Sequence, residues 1–203
     1  SSDLDGGETW SEPTLLDVKK ASEQSLLVGP GRGIVISTGE HKGRIVFTCY
    51  EFTNGDKNSA AIYSDDNGVT WHRGASAKNF SSEAVVTEAD GKLYMFVRRE
   101  NVYYVSNDGG ETWSDPQAMG ISYNATCQLT ATTYSEKING KTAIFFACPS
   151  NTSSRAAGKI YVGLVQDDGS IDWAYNYSIN GSAYYAYSCI SEMANGNIGL
   201  LYE

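Results

Sequence analysis

Five side chains stand out for the chemistry they could share: Glu83, Arg98, Arg155, Tyr187 and Glu203. Carboxylates and phenols transfer protons, and guanidinium groups grip anions. The chain carries a net charge of −9, so an anionic ligand has to be captured by a local cluster of arginines. Each residue also has a plainer reading. Arg98 could be a solvated strand end beside Arg99, Arg155 lies in a Ser-rich loop, and Tyr187 closes the run Tyr184-Tyr185-Ala186-Tyr187 in a chain with 14 tyrosines. Other chemistries lack parts. His41 and His72 are the only histidines; both read as surface residues, and they build neither a Ser-His-Asp set nor a metal site. The four cysteines, Cys49, Cys127, Cys148 and Cys189, are far apart with no C-x-x-C, which argues against zinc. Three of them lie in apolar, strand-like runs and read as small buried hydrophobes. Gly29-Pro30-Gly31-Arg32-Gly33 lacks the Lys-Ser/Thr of a phosphate loop and reads as shaping the entry to a strand.

Repeats supply the elements that must position these residues. Ser64-Asp65-Asp66-Asn67-Gly68-Val69-Thr70-Trp71 matches Ser106-Asn107-Asp108-Gly109-Gly110-Glu111-Thr112-Trp113 position by position. Asp3 to Trp10 is a third copy, and a degraded fourth runs from Asp168-Gly169 to Trp173. The shared S-x-D-x-G-x-T-W predicts a turn in which Asp accepts bonds from turn amides, Gly supplies positive φ, and Trp buries against a sheet. A calcium loop would need a different acidic spacing. Between the boxes, Asp90-Gly91, Asn139-Gly140 and Asn195-Gly196 predict hairpins. Each unit thus reads as four antiparallel strands, with the hairpin joining strands one and two and the boxed turn joining three and four. That is a propeller blade of roughly 40 to 60 residues, and the chain holds about four. It opens inside a boxed turn and closes just after a second strand, so we expect a partial domain whose earlier blades lie outside residues 1–203.

Repeat register places the five residues. Glu83 is eight residues before Gly91 and Tyr187 nine before Gly196, each at the start of a strand one. Arg98 and Glu203 each follow the hairpin glycine of their unit by seven residues, at the end of a strand two. Arg155 sits in a two-to-three loop. Strand one lines a propeller's axis, so all five should face one mouth, away from the boxed turns.

Composition excludes several classes. With 41% hydrophobic residues the chain builds a core, and the negative charge argues against a nucleic-acid surface. No apolar run is long enough to span a membrane, and Ser1-Ser2-Asp3-Leu4-Asp5 is not a signal peptide. N-x-S/T sequons start at Asn79, Asn124, Asn151, Asn176 and Asn180, which matter only in a eukaryotic secreted chain.

In combination these stretches resemble the bacterial exo-α-sialidase (neuraminidase) family, in which the boxed turns are called Asp boxes. Ser82 to Arg98 resembles the segment with the catalytic Glu and the second Arg of a triad. Cys148 to Gly158 resembles the segment with the third triad Arg, and Tyr187 to Glu203 the nucleophile strand with its closing Tyr-Glu. The resemblance implies a six-bladed, all-β propeller in an enzyme that hydrolyses terminal α-linked sialic acid with retention. Tyr187 would be the nucleophile, Glu83 its base, Arg98 (preferred over Arg99) and Arg155 the carboxylate grip, and Glu203 the support of a first triad Arg. It implies sialylated glycans as partners, a secreted or cell-surface protein, and no metal or organic cofactor. A first triad Arg and an acid/base Asp have no counterpart here, so the resemblance also implies that residues 1–203 alone are inactive. Two alternatives stay open: a trans-sialidase variant, and a non-enzymatic Asp-box propeller that binds glycan or protein.

Overall fold

A computed structural model describes residues 5–77 and 82–203; within them the chain is all-β, with no helix long and apolar enough to cross a membrane. Ser1 to Leu4 and the sequon at Asn79 lie outside the described residues.

Three antiparallel sheets and the start of a fourth follow one another along the chain. In the first blade, β1 (Ser25–Val28) and β2 (Ile34–Val35) together form strand one, and both pair with β3 (Ile45–Thr53). β4 (Asp56–Ser64) and β5 (His72–Arg73) complete it. The second blade is β6 (Ala84–Ala89), β7 (Lys92–Val97), β8 (Val102–Ser106) and β9 (Gln117–Ala118). The third is β10 (Thr130–Thr133), β11 (Ala143–Pro149), β12 (Gly158–Val165) and β13 (Ile171–Ser178). β14 (Ser188–Glu192) and β15 (Ile198–Tyr202) form the inner half of a fourth. The expected count of about four blades therefore resolves into three whole blades and a half.

Local chemistry explains the turns. Asp90 and Gly91 both have positive φ, 49° and 74°, the type I′ geometry that fits the twist of the β6–β7 hairpin. The Gly-rich stretch lies at the entry to β2, as its composition suggests, and separates β2 from β1. A Cβ on Gly33 would stand 2.6 Å from the Phe47 ring, so only glycine fits there. In the boxed turns the carboxylate works as read: Asp66 accepts the Thr70 amide at 2.8 Å and its hydroxyl at 2.6 Å, and Asp108 does the same for Thr112. These bonds hold the Asp66 acid down at about 2. Two copies deviate. Asp168 reaches only Ser170, two residues on, so the fourth box is an ordinary Asx-type turn. Trp10 is 65% exposed instead of buried, because no described strand covers it, whereas Trp71 and Trp113 pack on the sheets.

The strongest packing lies between the second and third blades, where Phe96, Phe146 and Trp173 meet with ring centroids 5.2 to 6.2 Å apart. Towards the axis, side chains stitch neighbouring blades. The Thr48 hydroxyl donates to the Ala84 carbonyl, Thr87 meets Thr133, and the Ile190 amide donates to the Thr130 hydroxyl. At the boxed end, buried Arg44 makes a bidentate pair with Asp65 of its own blade and bonds Glu111 and two carbonyls of the next blade's box. Arg44→Ala should cost about 2 kcal/mol, since its carboxylate partners can turn to water, and lower Tm by about 4–8 °C, read by calorimetry. An unchanged Tm would show that the blades do not depend on this strut.

Candidate active site

Glu83 immediately precedes β6, and its carbonyl accepts the Arg98 amide at 2.9 Å, so the β6–β7 pair sets both residues side by side. Tyr187 immediately precedes β14, and its carbonyl accepts the Glu203 amide at 3.1 Å. Strand pairing alone thus fixes two pairs of residues, one per blade, at the same end of the propeller.

The side chains close the gap between blades. The Tyr187 hydroxyl donates to Glu83 Oε1 at 3.0 Å. Arg98 Nη1 lies 2.6 Å from Glu83 Oε2 and donates to the Tyr187 hydroxyl at 3.2 Å. Its Nε donates to the Thr126 carbonyl at 3.0 Å. The Arg155 guanidinium stands over the Tyr187 ring, 5.5 Å from its centroid. Glu83 and Arg98 have side chains only 14% and 18% exposed, deep enough to strengthen their attraction while a ligand can still reach them.

Burial pushes the Tyr187 phenol above its usual range, and the hydrogen bond and charge of Glu83 push it the same way, with Arg98 opposing. The resting phenol is therefore neutral at pH 7. Burial disfavours the Arg98 charge, but Glu83 outweighs it and the pKa rises, so Arg98 stays cationic.

The five sequence-nominated residues fare unequally. Glu83, Arg98 and Tyr187 touch one another, and Arg155 joins through the tyrosine ring. Arg98, not Arg99, reaches the cluster; Arg99 has a φ of 83°, and its exposed side chain takes no part. Glu203 is exposed and contributes through its backbone, and its carboxylate has no ion-pair partner among the described residues. An open, largely apolar cavity of about 420 Å³ lies beside Tyr187, lined by Pro30, Gly31, Gln128, Leu201 and Tyr202 among others. A cavity of about 440 Å³, polar-rimmed by Thr87, Glu88 and Thr132, opens at the hairpin end of the inner strands and takes in none of the cluster.

Support for Tyr187 comes from residues the sequence did not single out. Tyr185 is fully buried and stacks on Tyr202 with centroids 5.1 Å apart. Gly158 lets it in, since a Cβ there would stand 2.2 Å from the Tyr185 ring. Gln128 and Thr126 belong to the segment leading into strand one of the third blade. Repeat register could have flagged that position, but the longer Tyr134–Thr142 connection hides it. The sequon at Asn124 is buried: its side chain accepts the Thr126 amide and hydroxyl, which leaves no room for a glycan. Among the cysteines Cys49, Cys127 and Cys148 are buried and Cys189 is exposed on β14. His72 is exposed on β5 and His41 half-buried, both on the first blade.

The BNR repeat-like domain matches residues 1–200. The chain belongs to that family. Within the BNR repeat-like family it is similar to the anhydrosialidase of the leech Macrobdella decora, 38% identical over 221 residues, which cover 98% of this chain and 28% of the relative. Among solved structures, the leech intramolecular trans-sialidase with 2,7-anhydro-Neu5Ac superposes with a TM-score of 0.90 at 36% identity, over 99% of this chain and 32% of that one. The intramolecular trans-sialidase of Ruminococcus gnavus with oseltamivir carboxylate follows at 0.89 and 35%, over 98% and 44%. The fold is thus that of the sialidase β-propellers. The chain spans less than half the length of each of these proteins.

Proposed function

We propose that the protein containing this chain cleaves terminal α-linked sialic acid from glycoconjugates as a retaining exo-sialidase, with Tyr187 as nucleophile. The contact that carries the reading is the hydrogen bond from the Tyr187 hydroxyl to Glu83, with Arg98 bridging both. Sialic acid bears a carboxylate on its anomeric carbon, which would repel a carboxylate nucleophile in a water-poor site. A neutral phenol approaches without that penalty, and sialidases are the glycosidases that use tyrosine in this way. As the phenol oxygen bonds to the anomeric carbon, its proton passes to Glu83 along the existing hydrogen bond, and the leaving oxygen departs with a proton from a separate acid. Water then attacks the glycosyl-tyrosine, giving its proton to the separate acid, now in its base form, while the departing phenolate recovers its proton from Glu83. Two inversions give net retention.

Arg98 and Arg155 grip the substrate carboxylate bidentately. The reading further requires a third guanidinium, to which Glu203 offers its free carboxylate, and an acid/base carboxylate, both from residues beyond these 203. Exposed Leu27, Val28 and Val35 on the first blade and Leu201 on β15 fit with further blades closing the propeller on these faces. Its substrates are displayed on extracellular glycans, which fits a secreted or cell-surface bacterial protein.

The likeness to two intramolecular trans-sialidases favours a second reading, in which the sugar's own glycerol oxygen replaces water and 2,7-anhydro-Neu5Ac is released. Incubating the parent protein with sialyllactose and resolving the products decides between them. Free sialic acid supports hydrolysis, and the anhydro sugar the intramolecular reaction. Release of neither would leave a glycan-binding propeller and sink both.

A further inference from the structure

We infer that Gln128 is a positioning residue for the nucleophile, holding the peptide that carries Tyr187 in its attacking orientation. The inference rests on Tyr187 being that nucleophile. Gln128 is 3% exposed and lies just before β10, on the blade next to Tyr187. Its amide makes two bonds to one residue of β14: Nε2 donates to the Ser188 carbonyl at 3.0 Å, and Oε1 accepts the Ser188 amide at 2.9 Å. A side chain thus imitates the paired bonds that a neighbouring strand would make.

The peptide plane between Tyr187 and Ser188 is consequently pinned at both ends. Its N–H goes to Gln128, and its C=O accepts the Glu203 amide at 3.1 Å. Rotation of that plane is what would swing the Tyr187 Cα–Cβ direction, and both of its polar atoms are engaged. Two residues before Gln128, the Thr126 carbonyl holds Arg98 Nε. That carbonyl is itself set by the turn on Asn124. One short segment, 124–128, therefore fixes the guanidinium and the nucleophile relative to each other, although neither Thr126 nor Gln128 touches the phenol oxygen.

Gln128→Met keeps the side chain's length and removes both bonds. Misplacing a reacting group by about 1 Å costs about 10²-fold, so kcat of the parent enzyme should fall about 10- to 100-fold with KM for an aryl sialoside within about twofold. A fluorinated sialosyl fluoride, which traps the glycosyl-tyrosine, separates positioning from folding. Mass spectrometry should show Tyr187 labelled to completion but with a rate constant lowered in step with kcat. Gln128→Asn, too short to span to Ser188, should behave alike if the Met variant does not fold. An unchanged rate constant, whatever fraction is labelled, would mean that Gln128 only stabilises the fold, and overturns the inference. Wild-type enzyme that turns over without labelling at Tyr187, or a Tyr187→Phe variant that remains active, would overturn the underlying reading and this inference with it.

Discussion

Tyr187→Phe in the parent protein is expected to lower kcat by about 10³-fold or more while leaving the fold and KM nearly unchanged, as loss of a covalent nucleophile does elsewhere. The structure separates the two effects. Among the described residues the phenol oxygen bonds Glu83 and Arg98, which remain paired with each other at 2.6 Å without it. The ring keeps its place under Arg155, and the peptide keeps its bonds to Gln128 and Glu203. Glu83 Oε1 loses the donor it has in the wild type, but the carboxylate keeps its ion pair with Arg98, so the stability change should stay at about 1–2 kcal/mol. Both arginines remain to hold the substrate carboxylate, so binding persists. Steady-state kinetics on an aryl sialoside, with Tm measured alongside, tests this. Full activity in the Phe variant would remove Tyr187 from the chemistry, and a collapse in Tm would make the kinetic loss uninformative about its role.

Repeat register reached far into this site because the propeller is modular. Once the hairpin at Gly91 and the one at Gly196 were aligned, Glu83 and Tyr187 fell at the same strand start on different blades, and the inner strands bring those starts together. Arg98 was separable from Arg99 for the same reason: alternation along β7 sends one inward, and the left-handed turn at Arg99 sends the other out. What stayed hidden were contacts that have no period. Gln128 acts on the backbone of another segment and Thr126 through its own carbonyl, and nothing in their own residue types announces a partner 60 or 28 positions away. The boxes show the opposite failure. Asp168-Gly169 has the composition of the repeat, but without a Thr two residues past the glycine its carboxylate closes a shorter turn. Trp10 has the right sequence and no described sheet to bury against.

Glu83→Gln tests the proton path, and its signature lies in the pH profile more than in the size of the loss. A general base contributes about 10²- to 10⁴-fold, so kcat at neutral pH should fall within that range. Glutamine still accepts the phenol's hydrogen bond but cannot take its proton. The variant also alters the phenol itself. In the wild type burial raises the Tyr187 pKa first, Glu83 adds to the rise through its bond and charge, and Arg98 works against both. Removing the carboxylate deletes two of the raising causes, leaves burial, and frees Arg98 from its ion pair to favour the phenolate. The folded-state pKa of Tyr187 should therefore drop relative to the wild type. Residual kcat in Glu83→Gln should then climb as pH rises, because a growing fraction of Tyr187 is already ionised and needs no base. The wild type, with the Glu83 carboxylate to take the proton, should not share that alkaline rise. A variant whose residual rate is flat from neutral to alkaline pH would show that proton removal from Tyr187 does not limit turnover, and Glu83 would then serve only to hold Arg98 in place.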